Sequence, residues 1–304
     1  MGWPPPTVDD LRERLGSELF RRVAGPSGER TRARIHETPG PRWFGPDRPI
    51  RTVHGDAAMF AGGLTALLLQ SLHPLAMAAV AAHSGFRGDP WGRLQRTSTF
   101  LAVTTFGTAS DARCAVERVR AVHERVRGTA PDGRAYHASD PYLLGWVHVA
   151  EVDSFLRAHQ SYGASPLDPA GYDGYVADTA RIAEELGVER PPRSLAELAR
   201  QLEAYRGELY GTREARETAR FLLLSPPIPW QARPPYALLA AGAVELLPSW
   251  ARGQLGLPSL NRPARAAARV GGGLATAGIR WAMSPAPPGA VTLPRARPGG
   301  SSHR

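Results

Sequence analysis

LLLQSLHPLAMAAVAAHSGF, residues 67–86, decides the fold. With the residues before it, it forms an almost uncharged run from Ala57 to Ala82, yet it carries His73, Pro74 and His83. A membrane-spanning helix needs roughly 20 consecutive apolar residues. Gly62, Gly63, Gln70, His73 and Pro74 interrupt this run, and Pro74 removes an amide donor while favouring a new helix start. The spacing predicts two buried helices, 55–72 and 74–83, meeting at His73 inside a protein core. No transmembrane segment is expected.

Working outward, helix signals dominate. Leu11, Leu15, Leu19 and Phe20 share one face of a helix over 8–22, within a Pro- and Arg-rich arm spanning residues 1–48. Ser110 and Asp111 open a run to Arg127 that Gly128 stops. Asp140-Pro141 sets an N-cap and a first-turn proline ahead of a helix to His159. Ser165-Pro166 begins another, and Ser194 with Glu197 reads as a capping box for a helix to Arg206. Further helices fit 211–224, 233–247 and 263–283, and GRAYHAS (133–139) fits a short hairpin arm. The tail from Ser284 is Pro/Gly-rich and is expected to be disordered. The expectation is an all-α, multi-helix catalytic domain over 49–283.

Composition narrows the function less. The 304 residues carry 37 cations against 28 acidic groups, a net charge of +9, and every cation is arginine. These arginines are dispersed, so they read as solvated surface charge, and no nucleic-acid partner is expected. The single Cys114 excludes an intramolecular disulfide and a Cys-based metal site. MGWPPPTVDDLRERL lacks a basic n-region followed by an apolar core, which predicts a cytoplasmic protein.

The histidines carry the chemistry. On the 110–127 run, Ala112, Val116 and Val119 form an apolar stripe with His123 at its edge, flanked by Arg120 and Arg127. On the next helix Leu144, His148, Glu151, Phe155 and His159 cluster on one side. A hydrolytic triad is disfavoured, because no Gly-x-Ser-x-Gly elbow is present. A non-haem metal site would draw on His148 and Glu151, without the paired Glu-x-x-His motifs of di-iron bundles. Haem suits best: one imidazole on iron, an apolar pocket, and arginines for its carboxylates.

GDAAMFAGGLTALLLQSLHPLAMAAVAAHSGFRGDPWGRLQRTSTFLAVTTFG, followed by VHERVRG, GRAYHASDPYLLGWVHVAEVDS and LLPSW, resembles the MpaB-type oxygenase family, which shares its domain with the rubber oxygenase latex clearing protein. The resemblance covers roughly residues 50–250. It implies a globin-like helical core holding haem b through one proximal histidine, and cleavage of isoprenoid C=C bonds with dioxygen. Carried onto this chain, the iron ligand is His123, and Arg93 and Thr97 of RLQRT match the Arg and Thr beside the haem. Arg96 stands where the rubber enzyme has lysine, and residues 76–80 lack the carboxylate that enzyme uses as a base. Arg93, Arg96 and Arg127 are then cations for the haem carboxylates, and His73, His83 and His148 are candidate distal groups. The expected activity is a haem b oxygenase acting on an apolar small molecule. The alternatives are a non-haem metal oxygenase and a helical haem or apolar-ligand carrier without turnover.

Overall fold

Pro74 breaks the long apolar run as its chemistry dictates. In the computed structural model, which describes residues 7–83 and 88–284, the two halves of that run are separate helices bent by 108°. The described helices are α1 (Val8–Ala24), α2 (Gly28–Glu37), α3 (Pro49–His54), α4 (Ala58–Gln70), α5 (Pro74–His83), α6 (Pro90–Phe106) and α7 (Ala109–His123). They continue as α8 (Pro141–Tyr162), α9 (Pro169–Leu186), α10 (Leu195–Tyr205), α11 (Arg213–Leu224), α12 (Arg233–Leu246), α13 (Ser249–Gln254) and α14 (Arg262–Met283). Between α7 and α8, β1 (Arg127–Thr129) pairs antiparallel with β2 (Ala135–His137). The fold is an all-α bundle. Among the described residues no single helix is long and apolar enough to cross a membrane.

The helix starts follow local chemistry. Asp89, Asp140 and Asp168 each cap a helix whose first residue is proline, accepting from Gly92, Tyr142 and Gly171 amides. The Ser194 cap forms with the Glu197 amide at 3.2 Å, but the expected reciprocal bond is shifted by one residue: Glu197 accepts from the Arg193 amide.

α8 is the central element. Gly145, Trp146, Val149, Ala150 and Val152 are buried on it, and the Trp146 indole donates to the Gln70 carbonyl at 3.1 Å, tying α8 to the end of α4. The two helices approach closely because Gly62 has no side chain; a Cβ there would stand 2.7 Å from the Phe155 ring. A second close crossing joins α12 to α14, where a Cβ on Gly242 would lie 2.7 Å from the Gly272 Cα. Backbone cannot yield as a flexible side chain does, so Gly242→Val is expected to cost about 3 kcal/mol or more. Gly278→Ala, on the partner helix α14 with open space beside it, serves as the control. Urea denaturation of the two variants measures both effects.

Two local expectations are corrected. The arm over 1–48 holds a second helix, α2, whose only buried residues are Gly28 and Ile35; an apolar stripe of one side chain leaves no periodic signal. The arm is locked down by Arg42, which donates to the Ile35, His36, Thr38 and Phe106 carbonyls. The helix expected to reach Arg127 ends at His123, where the Arg125 and Val126 amides bond three residues back and the chain turns into β1. Gly128 is therefore not a helix stop. It sits under the Tyr136 ring, where a Cβ would be 2.5 Å from the hydroxyl. The tail, apart from Ser284, lies outside the described residues.

Candidate functional site

α6 and α7 form an antiparallel hairpin closed by Gly107-Thr108. Arg93 lies fourteen residues before Gly107 and His123 fifteen after Thr108, so a rise of about 1.5 Å per residue puts both at the open end. Thr104 and Thr105 lie at the closed end, and they are the buried residues of α6. Phe100, Leu101, Ala102 and Val103 stay half-exposed, as do Ala76 and Val80 of α5, Val119 and His123 of α7, and Leu144, His148 and Glu151 of the central helix α8. Ala76, Val80, Phe100 and Leu101 pack against the main core yet keep accessible surface, so α5 and α6 leave apolar surface open.

The electrostatics agree. Burial pushes the His123 imidazole below its usual value, with Glu124 acting weakly against it. Burial alone pushes His148 down to about 4 and the Glu151 carboxyl up to about 7. Arg93 is pushed down by burial and by the charge of Arg96. These groups keep some solvent contact yet pay heavily for charge, because low-dielectric protein surrounds them. His123 Nδ1 and His148 Nε2 are buried without a hydrogen-bond partner. An unpaired buried nitrogen costs stability, so such atoms mark a place where a ligand completes the site.

At the closed end a polar chain crosses the core. His54 Nδ1 lies 2.8 Å from Thr105 Oγ1, and its Nε2 lies 3.3 Å from the Tyr175 hydroxyl. Burial holds His54 down to about 3, so it is neutral at pH 7. The fully buried Tyr175 is pushed well up by burial, with the charge of Glu151 adding to it. Sequence reasoning missed His54 and Tyr175. The signal for His54 was present, since Ile50, Val53 and His54 share a face of a short helix.

The other residues singled out from sequence are dispersed. Arg96 is exposed and pairs with Asp89 at 3.4 Å; Thr97 and Arg127 are exposed. His83, on the exposed end of α5, lies 3.1 Å from the Tyr136 hydroxyl of the hairpin. His73 is 1% exposed and packs against the Tyr142 and Trp146 rings, centroids 6.5 and 6.2 Å away, with Nε2 3.8 Å from Glu208. Trp146 and His148 are two residues apart, about 200° around the helix, so His73 stands across α8 from His148. Both His73 ring nitrogens lack a hydrogen bond.

Two cavities lie elsewhere. One of about 270 Å³ is lined by Asp153, Arg157, Leu198 and Trp250, and a groove of about 520 Å³ by Arg34, Arg42, Arg113 and Arg181. Charged groups of both are engaged in ion pairs, as Asp153 with Arg157 and Arg34 with Asp111. The unpartnered ring nitrogens of His123 and His148 beside open apolar surface, together with the desolvated Glu151, rather than volume, select the region of α6, α7 and α8. Among the described residues no three His, Cys, Asp or Glu side chains cluster to hold a metal ion. His148 and Glu151 thus lack the further ligand that a non-haem centre would require.

The chain is 36% identical over 111 residues to an uncharacterized protein of Mycobacterium tuberculosis and to one of Mycobacterium bovis. The match takes in 35% of this chain and 43% of each relative, so the chain spans less than half the length of the curated relatives it matches. No solved structure matches it significantly. Residues 51–281 match the catalytic domain described as ER-bound oxygenase mpaB/B′/rubber oxygenase, and the chain belongs to that oxygenase family.

Proposed function

We propose that the chain is a haem b-dependent oxygenase that uses dioxygen to oxidise or cleave a C=C bond in an apolar, isoprenoid- or lipid-like substrate. The observation that carries this reading is His123: an imidazole pushed below its usual value by burial, with an unpartnered ring nitrogen, on the last turn of α7. One imidazole suffices where a porphyrin supplies the other ligands of the metal, and it must be neutral to coordinate. Bound there, haem would supply the iron chemistry of dioxygen.

The chain's own residues then divide the work. His123 holds the metal. Arg93, at the same end of the hairpin, pairs with the carboxylates of the group. Arg96, Thr97 and Arg127 are solvent-facing and His73 and His83 stand elsewhere, so the reading gives them no contact with haem. Phe100, Leu101, Val80 and Leu144 receive the apolar substrate and exclude water. Glu151 holds or releases a proton at its carboxyl near neutrality, which places an acid–base group on α8 where residues 76–80 offer none. His148 remains neutral at pH 7.

The experiment is oxygen uptake by the haem-loaded protein across isoprenoids and unsaturated fatty acids, with carbonyl products trapped by a hydrazine reagent. Uptake with carbonyl formation is expected; a haem spectrum without uptake on any substrate would leave a carrier. Arg93→Gln is expected to weaken haem retention about tenfold to a hundredfold, the loss of a charge-assisted pair. Arg96→Gln is expected to leave it unchanged. Haem transfer to apomyoglobin measures both.

A further inference from the structure

α14 is apolar on two sides. Gly271, Gly272, Ala275 and Thr276 are buried, and the helix packs on α12. On another side Ala266, Val270, Leu274, Ala277 and Trp281 are exposed, Val270 by 63%, Leu274 by 64% and Trp281 by 41%. Their spacing sets them in one stripe about 22 Å long, with no charge along it. Leu238 of α12, 45% exposed, packs over Gly271 and widens the patch. α1, which packs on α14, adds exposed Leu11 and Leu15.

The charge that α14 itself sets beside this stripe has one sign, while α1 carries Asp9, Asp10 and Glu13 as well as Arg12 and Arg14. α14 contains no acidic residue, and Arg262, Arg265, Arg269 and Arg280 fall together on one flank. Arg265 and Arg269 share the single carboxylate of Glu245, and Arg280 pairs with Asp56 at 2.8 Å. Four cations against two anions leave the flank positive. Scattered apolar residues on a surface need no explanation, but a continuous stripe does. A cationic flank disfavours a second copy of the same face, since like charges would meet, and suits anionic headgroups.

We propose that the exposed face of α14, with Leu238 beside it, docks the protein on an anionic lipid bilayer. Val270, Leu274 and Trp281 enter the headgroup–acyl boundary, and the arginine flank lies against lipid phosphates. This inference stands whether or not His123 holds iron.

The test is flotation of the full chain with vesicles of phosphatidylcholine alone or with phosphatidylglycerol added. Wild-type protein is expected to float with the anionic vesicles and to detach partly at high salt. V270E/L274E is expected to lose on the order of tenfold or more of this binding, with an unchanged thermal melt because both side chains are exposed. V270S/L274S, a milder pair, keeps the test valid if glutamates disturb folding. Failure of the wild type to float, or undiminished floating of both variants, would overturn the proposal. So would lipid-free dimerisation that V270E/L274E abolishes, which would assign the face to a second copy.

Discussion

His123→Gly is expected to reduce oxygen consumption to background and to release haem during purification. Imidazole added at millimolar concentration is expected to restore part of both. The reasoning is local. The His123 side chain carries a buried Nδ1 without a hydrogen bond, so removing the ring breaks no internal network of the fold. A structural histidine would instead leave a partner unsatisfied and destabilise the protein. Rescue separates the two roles, because free imidazole can replace a ligand but cannot restore a packing defect. Loss of activity with a lowered melting temperature and no rescue would count against ligation.

Glu151→Gln is expected to lower turnover by about two to three orders of magnitude, the range for loss of a positioned proton-transfer group, while leaving the haem spectrum intact. It is also expected to stabilise the protein at pH 8. The carboxyl titrates near 7 in the folded protein against a usual value of 4.5. Below about pH 4.5 both states are protonated and nothing is lost. Between 4.5 and 7 the unfolded chain releases its proton first, so stability falls as pH rises, and above 7 the full penalty remains. The amide removes that penalty. With its residual solvent contact allowed for, the gain at pH 8 is about 2 kcal/mol. His148 and His54, held down to about 4 and 3, act in the opposite sense. They contribute stability that is present above about pH 6.5 and lost on acidification through their folded values. Tyr175, coupled to Glu151, stays protonated throughout this range. Urea unfolding of wild type and Glu151→Gln at pH 5 and pH 8 isolates the carboxyl: the difference is expected at pH 8 and largely absent at pH 5.

Much of this was legible in the sequence wherever one residue acts on its own backbone. Pro74 broke the apolar run, and Asp140-Pro141 started α8, because proline geometry and capping need no tertiary information. α2 was illegible because it buries little beyond Ile35. The end of α7 was misread because Gly128 serves the Tyr136 ring, a contact thirteen residues away from where the helix signal resides. The site shows the same division. Histidines in apolar surroundings were readable as buried, but nothing local says which side of α8 each one faces. That side separates His148 from His73. Arg93 and Arg96 look equivalent in RLQRT, yet tertiary packing desolvates the first and leaves the second exposed beside Asp89. His54 and Tyr175 meet from α3 and α9, 121 residues apart, and no spacing rule joins them.

The absorption spectrum of freshly purified wild-type protein, from cells supplied with a haem precursor, tests the central claim most directly. The account predicts a Soret band with one haem b per chain by pyridine haemochrome assay. Protein that comes out folded, colourless and unable to take up added haemin would contradict it.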